Sequence, residues 1–272
     1  MSPIDHFSSG PLTPVVAYVI STAGSMLGLM LTSRARLTGG REATYWLLGA
    51  ALAIGGTGIW TMHFIAMLGF SVSGTVIRYD VPRTAASAVL AVVVVGLGLF
   101  LASQRGDRLP YLLAGGLLTG LGVAGMHYLG MSAMNLSAHL SYDPVVVTLS
   151  VLIAIGAATA ALWFTLRVSG ALKVGAAALV MGVAVSGMHY TGMFAVSVRE
   201  HTEPATPPGA RGIDFLLPLI VGLSLLTVGL LLALILSPSE KELRGEAEFR
   251  ERLRGPGEEG VPEIDLFGTP RR

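Results

Sequence analysis

The chain has 272 residues, of which 52% are hydrophobic and 13% charged, with a formal net charge of +1 and a mean hydropathy of +0.68. A soluble domain carries about 25% charged residues, so this chain cannot cover a globular surface, and its charge balance offers no basic face to nucleic acid. Its 35 Gly follow no three-residue period, which excludes a collagen-like chain, and with no Cys there is no disulfide, iron–sulfur cluster or thiolate zinc site.

A hydrocarbon core about 30 Å thick needs roughly 20 apolar residues of helix. The first 13 residues hold no Lys or Arg, so they lack the positive region of a cleavable signal peptide and read as an extracytoplasmic N-terminus before a retained span. Apolar runs follow at Pro14–Leu31, Tyr45–Phe70, Thr84–Ala102, Tyr111–Met134, Pro144–Leu166, Val174–Val198 and Ile213–Leu236. They predict seven transmembrane helices within residues 14–236. Gly55-Gly56-Thr57-Gly58 and Gly115-Gly116 fall inside spans, where close helix packing explains them better than phosphate loops. The tail, residues 237–272, has a helix start at Ser237-Pro238-Ser239-Glu240 and a charged stretch through Arg254, ended by Gly255-Pro256-Gly257. It is too short to form an output enzyme.

Charge gives the orientation. Connections 1–2, 3–4 and 5–6 carry seven Lys and Arg, connections 2–3, 4–5 and 6–7 carry four, and the tail carries seven. The positive-inside rule places the N-terminus outside and the tail in the cytoplasm. The predicted fold is therefore all-α and polytopic, a multi-pass protein of the cytoplasmic membrane with the lipid bilayer as its first partner.

One segment occurs three times, as Met62-His63-Phe64-Ile65-Ala66-Met67, Met126-His127-Tyr128-Leu129-Gly130-Met131 and Met188-His189-Tyr190-Thr191-Gly192-Met193. The His positions step by 64 and 62 residues. Arg78-Tyr79-Asp80 and Ser141-Tyr142-Asp143 open the spans after the first two copies, and Ser87 and Ser150 each follow their Asp by seven. The unit is thus a pair of spans, repeated three times, with each motif toward the outer end of an even-numbered span. An axis along the membrane normal would bring all three to one depth.

Within each motif the His and the second Met are four apart and share a helix face. His63/Met67, His127/Met131 and His189/Met193 are therefore candidate metal ligands, with Met134 one turn further along the same stripe. Met62, Met126 and Met188 sit about 100° round from their His, where packing or a supporting role suits them. Phe64, Tyr128 and Tyr190 are placed to line the site, and a Tyr hydroxyl is able to orient a His nitrogen or a ligand. Imidazole and thioether together suit copper, Cu(I) above all. Haem, which also takes His and Met axially, stays open. The plainer reading is interhelical packing: a lone apolar-helix His is usually a satisfied core residue, and Met is a common gap filler. Three His at equivalent positions, with six of the 11 Met inside the motifs, tilt the balance toward a site. No nucleophile–base set accompanies them, so no enzyme activity is expected. A transporter would need the polar path to continue inward, where spans 2, 4 and 6 hold only Gly, Thr and apolar residues.

The motifs, the seven spans and the two-span repeat resemble the MHYT domain family of bacterial integral membrane sensors, whose name stands verbatim at Met188–Thr191. The resemblance covers about Pro11 to Leu236. It implies a copper site near the outer face and a diatomic gas (dioxygen, carbon monoxide or nitric oxide) as ligand. Many members of the family carry cytoplasmic cyclic-di-GMP enzymes or DNA-binding domains; this chain departs in having a short tail, so a separate cytoplasmic signalling partner is expected. The first copy departs from the family, with Phe64 and Ile65 in place of Tyr and Thr.

Overall fold

A computed structural model of the chain describes residues 4–8, 10–105, 108–200 and 207–238, together with positions 242, 245 and 249. Among the described residues there are seven long helices: α1 Leu12–Leu37, α2 Gly40–Met67, α3 Val81–Arg105, α4 Leu109–Ser132, α5 Pro144–Arg167, α6 Ala171–Phe194 and α7 Gly212–Leu236. Each is long and apolar enough to cross a membrane. The chain divides into two units, Met1–Leu234 and Ile235–Arg272. The tail helix expected from Ser237 to Arg254 lies largely outside the described residues.

Three expected helix ends move inward. The second span stops at Met67, where Gly69 N–H turns back to the Ala66 carbonyl at 3.0 Å. The fourth stops at Ser132, so Met134 does not extend the helical stripe. It lies on a strand, where its backbone pairs with Tyr79. Val196 and Val198 likewise leave α6 for a strand.

Those strands form a layer at one end of the bundle, in the segment before α1 and in connections 2–3, 4–5 and 6–7. They are β1 Ile4–Asp5, β2 Ser71–Val72, β3 Arg78–Tyr79, β4 Met134–Asn135, β5 Ala138–Tyr142, β6 Val196–Glu200 and β7 Ala210–Arg211. All pairings are antiparallel: β1 with β2, β3 with β4 and β7, and β5 with β6. Three backbone bonds fasten this layer in the same way. Ser8 N–H donates to the Gly69 carbonyl (2.9 Å), Asp80 N–H to Ala133 (2.8 Å) and Asp143 N–H to Ala195 (2.9 Å). Each acceptor lies six residues beyond a motif His. Asp80 and Asp143 then cap the next helix: Asp80 Oδ1 accepts from Arg83 N–H, and Asp143 Oδ1 from Val145 and Val146 N–H.

Helices α1 to α6 close into a ring in which each packs on its sequence neighbours and α1 meets α6. Small residues let the backbones approach. A Cβ on Gly24 would lie 2.4 Å from Gly58 N, and one on Gly55 would lie 2.7 Å from the Ala91 carbonyl oxygen. The Gly-rich run of α2 therefore packs helices, as its place inside a span implied. Leu52–Thr61 of the same helix is π-helical, a wide i→i+5 winding directly before the first motif. Helix α2 is almost wholly buried, whereas α7 is almost wholly exposed. Helix α7 is held through Thr227, hydrogen-bonded to Thr57, and through the Leu234 carbonyl, which accepts from the buried Arg34 guanidinium at 3.3 Å.

Candidate metal centre

The ends of α2, α4 and α6 bring the three motif histidines together. His63, His127 and His189 are each 1% exposed, so whatever they bind is shut off from bulk water. His63 Nδ1 lies 2.9 Å from His189 Nδ1 and 3.2 Å from His127 Nδ1. The ring centroids are 4.9, 4.9 and 5.2 Å apart, with planes crossing at 78°, 80° and 88°. Each imidazole offers one nitrogen, and the three nitrogens lie within 4.8 Å of one another, close enough to hold one metal ion.

Neutral hydrogen bonding accounts for this only if one Nδ1–H is shared between two acceptors. A neutral imidazole Nδ1 either donates or accepts. His63 Nδ1 therefore cannot donate to one neighbour while accepting from the other. Three lone pairs converging on one cation satisfy all three nitrogens at once. Ligands about 2.0–2.1 Å from a tetrahedral ion stand about 3.3 Å apart, and the two separations from His63 Nδ1, 2.9 and 3.2 Å, are close to that. The donor set fits copper, and on imidazole alone it fits zinc, iron and nickel as well.

The far side of each ring explains the small residue at the fifth motif position. The His63 and His127 Nε2 atoms are buried and have no partner in the chain. His63 Nε2 faces Gly130, where a Cβ would sit 2.6 Å from it, and His127 Nε2 faces Gly192, where a Cβ would sit 2.4 Å from it. Each of these two rings thus rests on the bare backbone of the next motif. Ala66 fills the corresponding place in the first motif and is buried. The sequence signal was present in the Ala/Gly/Gly pattern; only the packing shows its use.

The aromatic residues stand edge-on to their own histidines, with centroids 4.8 Å (Phe64), 4.8 Å (Tyr128) and 4.9 Å (Tyr190) away. The Tyr128 hydroxyl does not orient a His nitrogen. It bonds Ser150 Oγ on α5 at 2.6 Å, while Ser150 donates to the Val147 carbonyl. Trp60 makes the matching bond to Ser87 Oγ (2.9 Å), which donates to Thr84. The repeated serines flagged by sequence are thus acceptors for neighbouring aromatic donors. A second aromatic layer covers the first: Tyr79 packs edge-on against Phe64 (6.0 Å), Tyr142 edge-on against Tyr128 (6.0 Å), and Phe7 tilted against Tyr190 (5.7 Å). Burial raises the Tyr79 and Tyr142 phenol pKa values. In the third position the N-terminal segment stands where the residues beside Asp214 offered no Tyr. His6 adds to it, packed on Phe70 (5.6 Å) and Phe194 (5.1 Å), and burial lowers its pKa against the opposing pull of Asp5.

The motif methionines and Met134 are buried. Met67, Met126, Met131, Met134, Met188 and Met193 lie in the main core, and Met62 packs with Ala17 and Ala66. Sequence matching sets these residues among relatives. Three consecutive stretches, 56–115, 120–178 and 182–245, match the MHYT family, described as a bacterial signalling protein N-terminal repeat. Over 235 residues the chain is 38% identical to MucR of Pseudomonas aeruginosa, a bifunctional diguanylate cyclase/cyclic di-GMP phosphodiesterase, covering 83% of this chain and 33% of that protein. It is 35% identical to the cyclic di-GMP phosphodiesterase NbdA of the same organism (72% of this chain, 26% of that one). It is 32% identical to the signalling protein YkoW of Bacillus subtilis (72% and 25%). The chain thus spans a quarter to a third of the length of these relatives. No solved structure matches.

Proposed function

The chain belongs to the MHYT family of bacterial signalling proteins, with seven helices apolar enough to span a membrane, and from that premise we propose that it is a membrane sensor whose receptor element is a copper ion held by His63, His127 and His189. The observation that carries this reading is the meeting of three buried imidazoles, with His63 Nδ1 within 3.2 Å of the other two Nδ1 atoms. Met67, Met131 and Met193, one turn beyond the histidines, are the candidate thioether ligands. Met62, Phe64, Met126, Tyr128, Met134, Met188 and Tyr190 form the surrounding wall. When bound, the metal supplies a position for a diatomic gas. The chain's part is to hold the three imidazoles on converging helices and to exclude water through the two aromatic layers.

We further read the fold as three two-helix units around an axis along the membrane normal, with the strand layer outside and the tail in the cytoplasm of a bacterial inner membrane. The parallel bonds from Ser8, Asp80 and Asp143 support the units, and the Lys/Arg distribution supports the orientation. The signal would pass to a cytoplasmic partner or output domain, as the names of MucR and NbdA suggest for those proteins. Haem ranks second, because nitrogens 2.9 and 3.2 Å apart leave no room for a macrocycle between them. Transport ranks lower too, since apolar side chains line the bundle beneath the histidines.

The test is a Cu(I) competition titration of the purified protein in lipid nanodiscs, with His63→Ala, His127→Ala and His189→Ala measured singly. All three substitutions should weaken binding to a similar degree, because each removes one of three equivalent ligands. A single substitution that abolishes binding while the other two leave it intact would overturn the shared centre.

A further inference from the structure

A chamber of about 50 Å³ lies inside the bundle, directly beside the histidine cluster. Its wall includes Ile59, Val123 and Val185. Each of these precedes a motif His by four residues, so the chamber begins one helical turn from all three imidazoles. On the measure in which one water needs about 10–15 Å³, there is room for a few heavy atoms.

The lining is almost entirely apolar. Its two hydroxyls, Thr119 and Thr165, are both turned to backbone carbonyls, Thr119 Oγ1 to Val94 (3.4 Å) and Thr165 Oγ1 to Leu162 (2.7 Å). A water there would find only the lone pairs of these two oxygens and no donor, and cavities this apolar stay dry and take up xenon or small hydrocarbons. On the side away from the histidines, Leu99 and Thr165 are shared with a vestibule of about 350 Å³ that also includes Arg36 and Ser103. Between vestibule and chamber the way is bounded by apolar side chains, which bars an ion but not a neutral molecule. On the flank, Ala157 and Ala161 of α5 and Ala184 of α6 are only half buried, so a thin wall of methyl groups faces the hydrocarbon.

We propose that this chamber is a binding site for one small apolar molecule, of diatomic-gas size, taken from the membrane interior and held one turn from the histidine cluster. Its role as the supply of ligand to a metal rests on the proposed copper centre; the binding itself does not. The site thus separates two tasks. The chamber selects by size and polarity, and the imidazoles supply the chemistry.

Xenon is the probe. Methyl-labelled protein in nanodiscs is placed under xenon pressure, and the carbon and proton shifts of its methyl groups are followed. Saturable shifts should concentrate on Ile59, Val123 and Val185. Lipid-facing methyls such as Leu152 and Leu226 should move only in proportion to pressure. Ala158→Leu, with its side chain in the chamber wall, should abolish the saturable component, and Ala158→Val should reduce it if the larger residue prevents folding. A His63/His127/His189 triple Ala variant should retain it, which keeps failure of the metal reading separate from failure of this one. Equal, unsaturable shifts at chamber and lipid-facing methyls would overturn the proposal, as would saturable shifts that survive filling of the chamber.

Discussion

Gly192→Ala puts the reading of the motif to a quantitative test. The new Cβ would lie 2.4 Å from His127 Nε2, 3.0 Å from Cδ2 and 3.2 Å from Cε1. An ordinary carbon contact needs about 3.5 Å, so the ring must retreat by about 1 Å. The methyl cannot yield, because it is fixed to the backbone of α6. Metal–nitrogen distances tolerate only about 0.2 Å of error, so one of three ligands is lost or strained. Metal affinity should fall about 10- to 100-fold, and overpacking should destabilise the fold by about 1–3 kcal/mol. Gly187→Ala on the same helix is the control, since a Cβ there meets nothing within 4 Å. It should leave affinity unchanged and add up to about 1 kcal/mol of stability. Copper(I) competition titration and thermal unfolding in one detergent read both effects. The reasoning is refuted if Gly192→Ala and Gly187→Ala bind copper equally well.

Three further outcomes follow from the supporting contacts. Ser150→Ala should cost more than Tyr128→Phe: the first strands a phenol hydroxyl at about 1–3 kcal/mol, while the second leaves Ser150 bonded to Val147 at a cost of about 0.5–1.5 kcal/mol. Unfolding of both variants in sodium dodecyl sulfate mixtures gives the order, and the reverse order contradicts the assignment of Tyr128 as donor. Asp143→Ala should remove about 1 kcal/mol by uncapping α5, and Asp143→Asn should restore most of it, as measured by the same unfolding. Burial depresses His6, so below its ordinary pKa of 6.5 the folded chain binds fewer protons than the unfolded one and the N-terminal packing weakens as pH falls. Amide exchange at Ser8, whose N–H bonds Gly69, should therefore accelerate relative to its intrinsic rate below pH 6.5 in the parent and not in His6→Phe.

Much of this architecture was legible because membrane helices must satisfy their own backbones, which makes each span a long apolar run. The convergence of the histidines was legible from the threefold motif, since equal spacing on equivalent helices leaves one common depth. Local breaks in helical periodicity were not. Met134 has the spacing of a helical stripe, yet α4 ends two residues before it and its backbone pairs with Tyr79. The π-helical stretch Leu52–Thr61 coincides with close backbone approach at Gly24, Gly55 and Gly58, a tertiary arrangement with no signature in composition. Nothing in the sequence marks out His6 or Phe7, because no periodicity reaches them. Their place in the aromatic layer follows only from the pairing of Ile4–Asp5 with Ser71–Val72. Ser87 and Ser150 stood out as a repeat seven residues after Asp, but their donors differ, Tyr128 lying inside its motif and Trp60 two residues before one, and sequence could not pair them.

The most direct measurement is the metal content and optical spectrum of the protein purified under mild conditions, beside a variant with His63, His127 and His189 all replaced by Ala. The account predicts about one copper per chain in the parent, none in the variant, and no Soret band in either. A parent that stays metal-free after Cu(I) is added back, or a variant that holds as much copper as the parent, would contradict it.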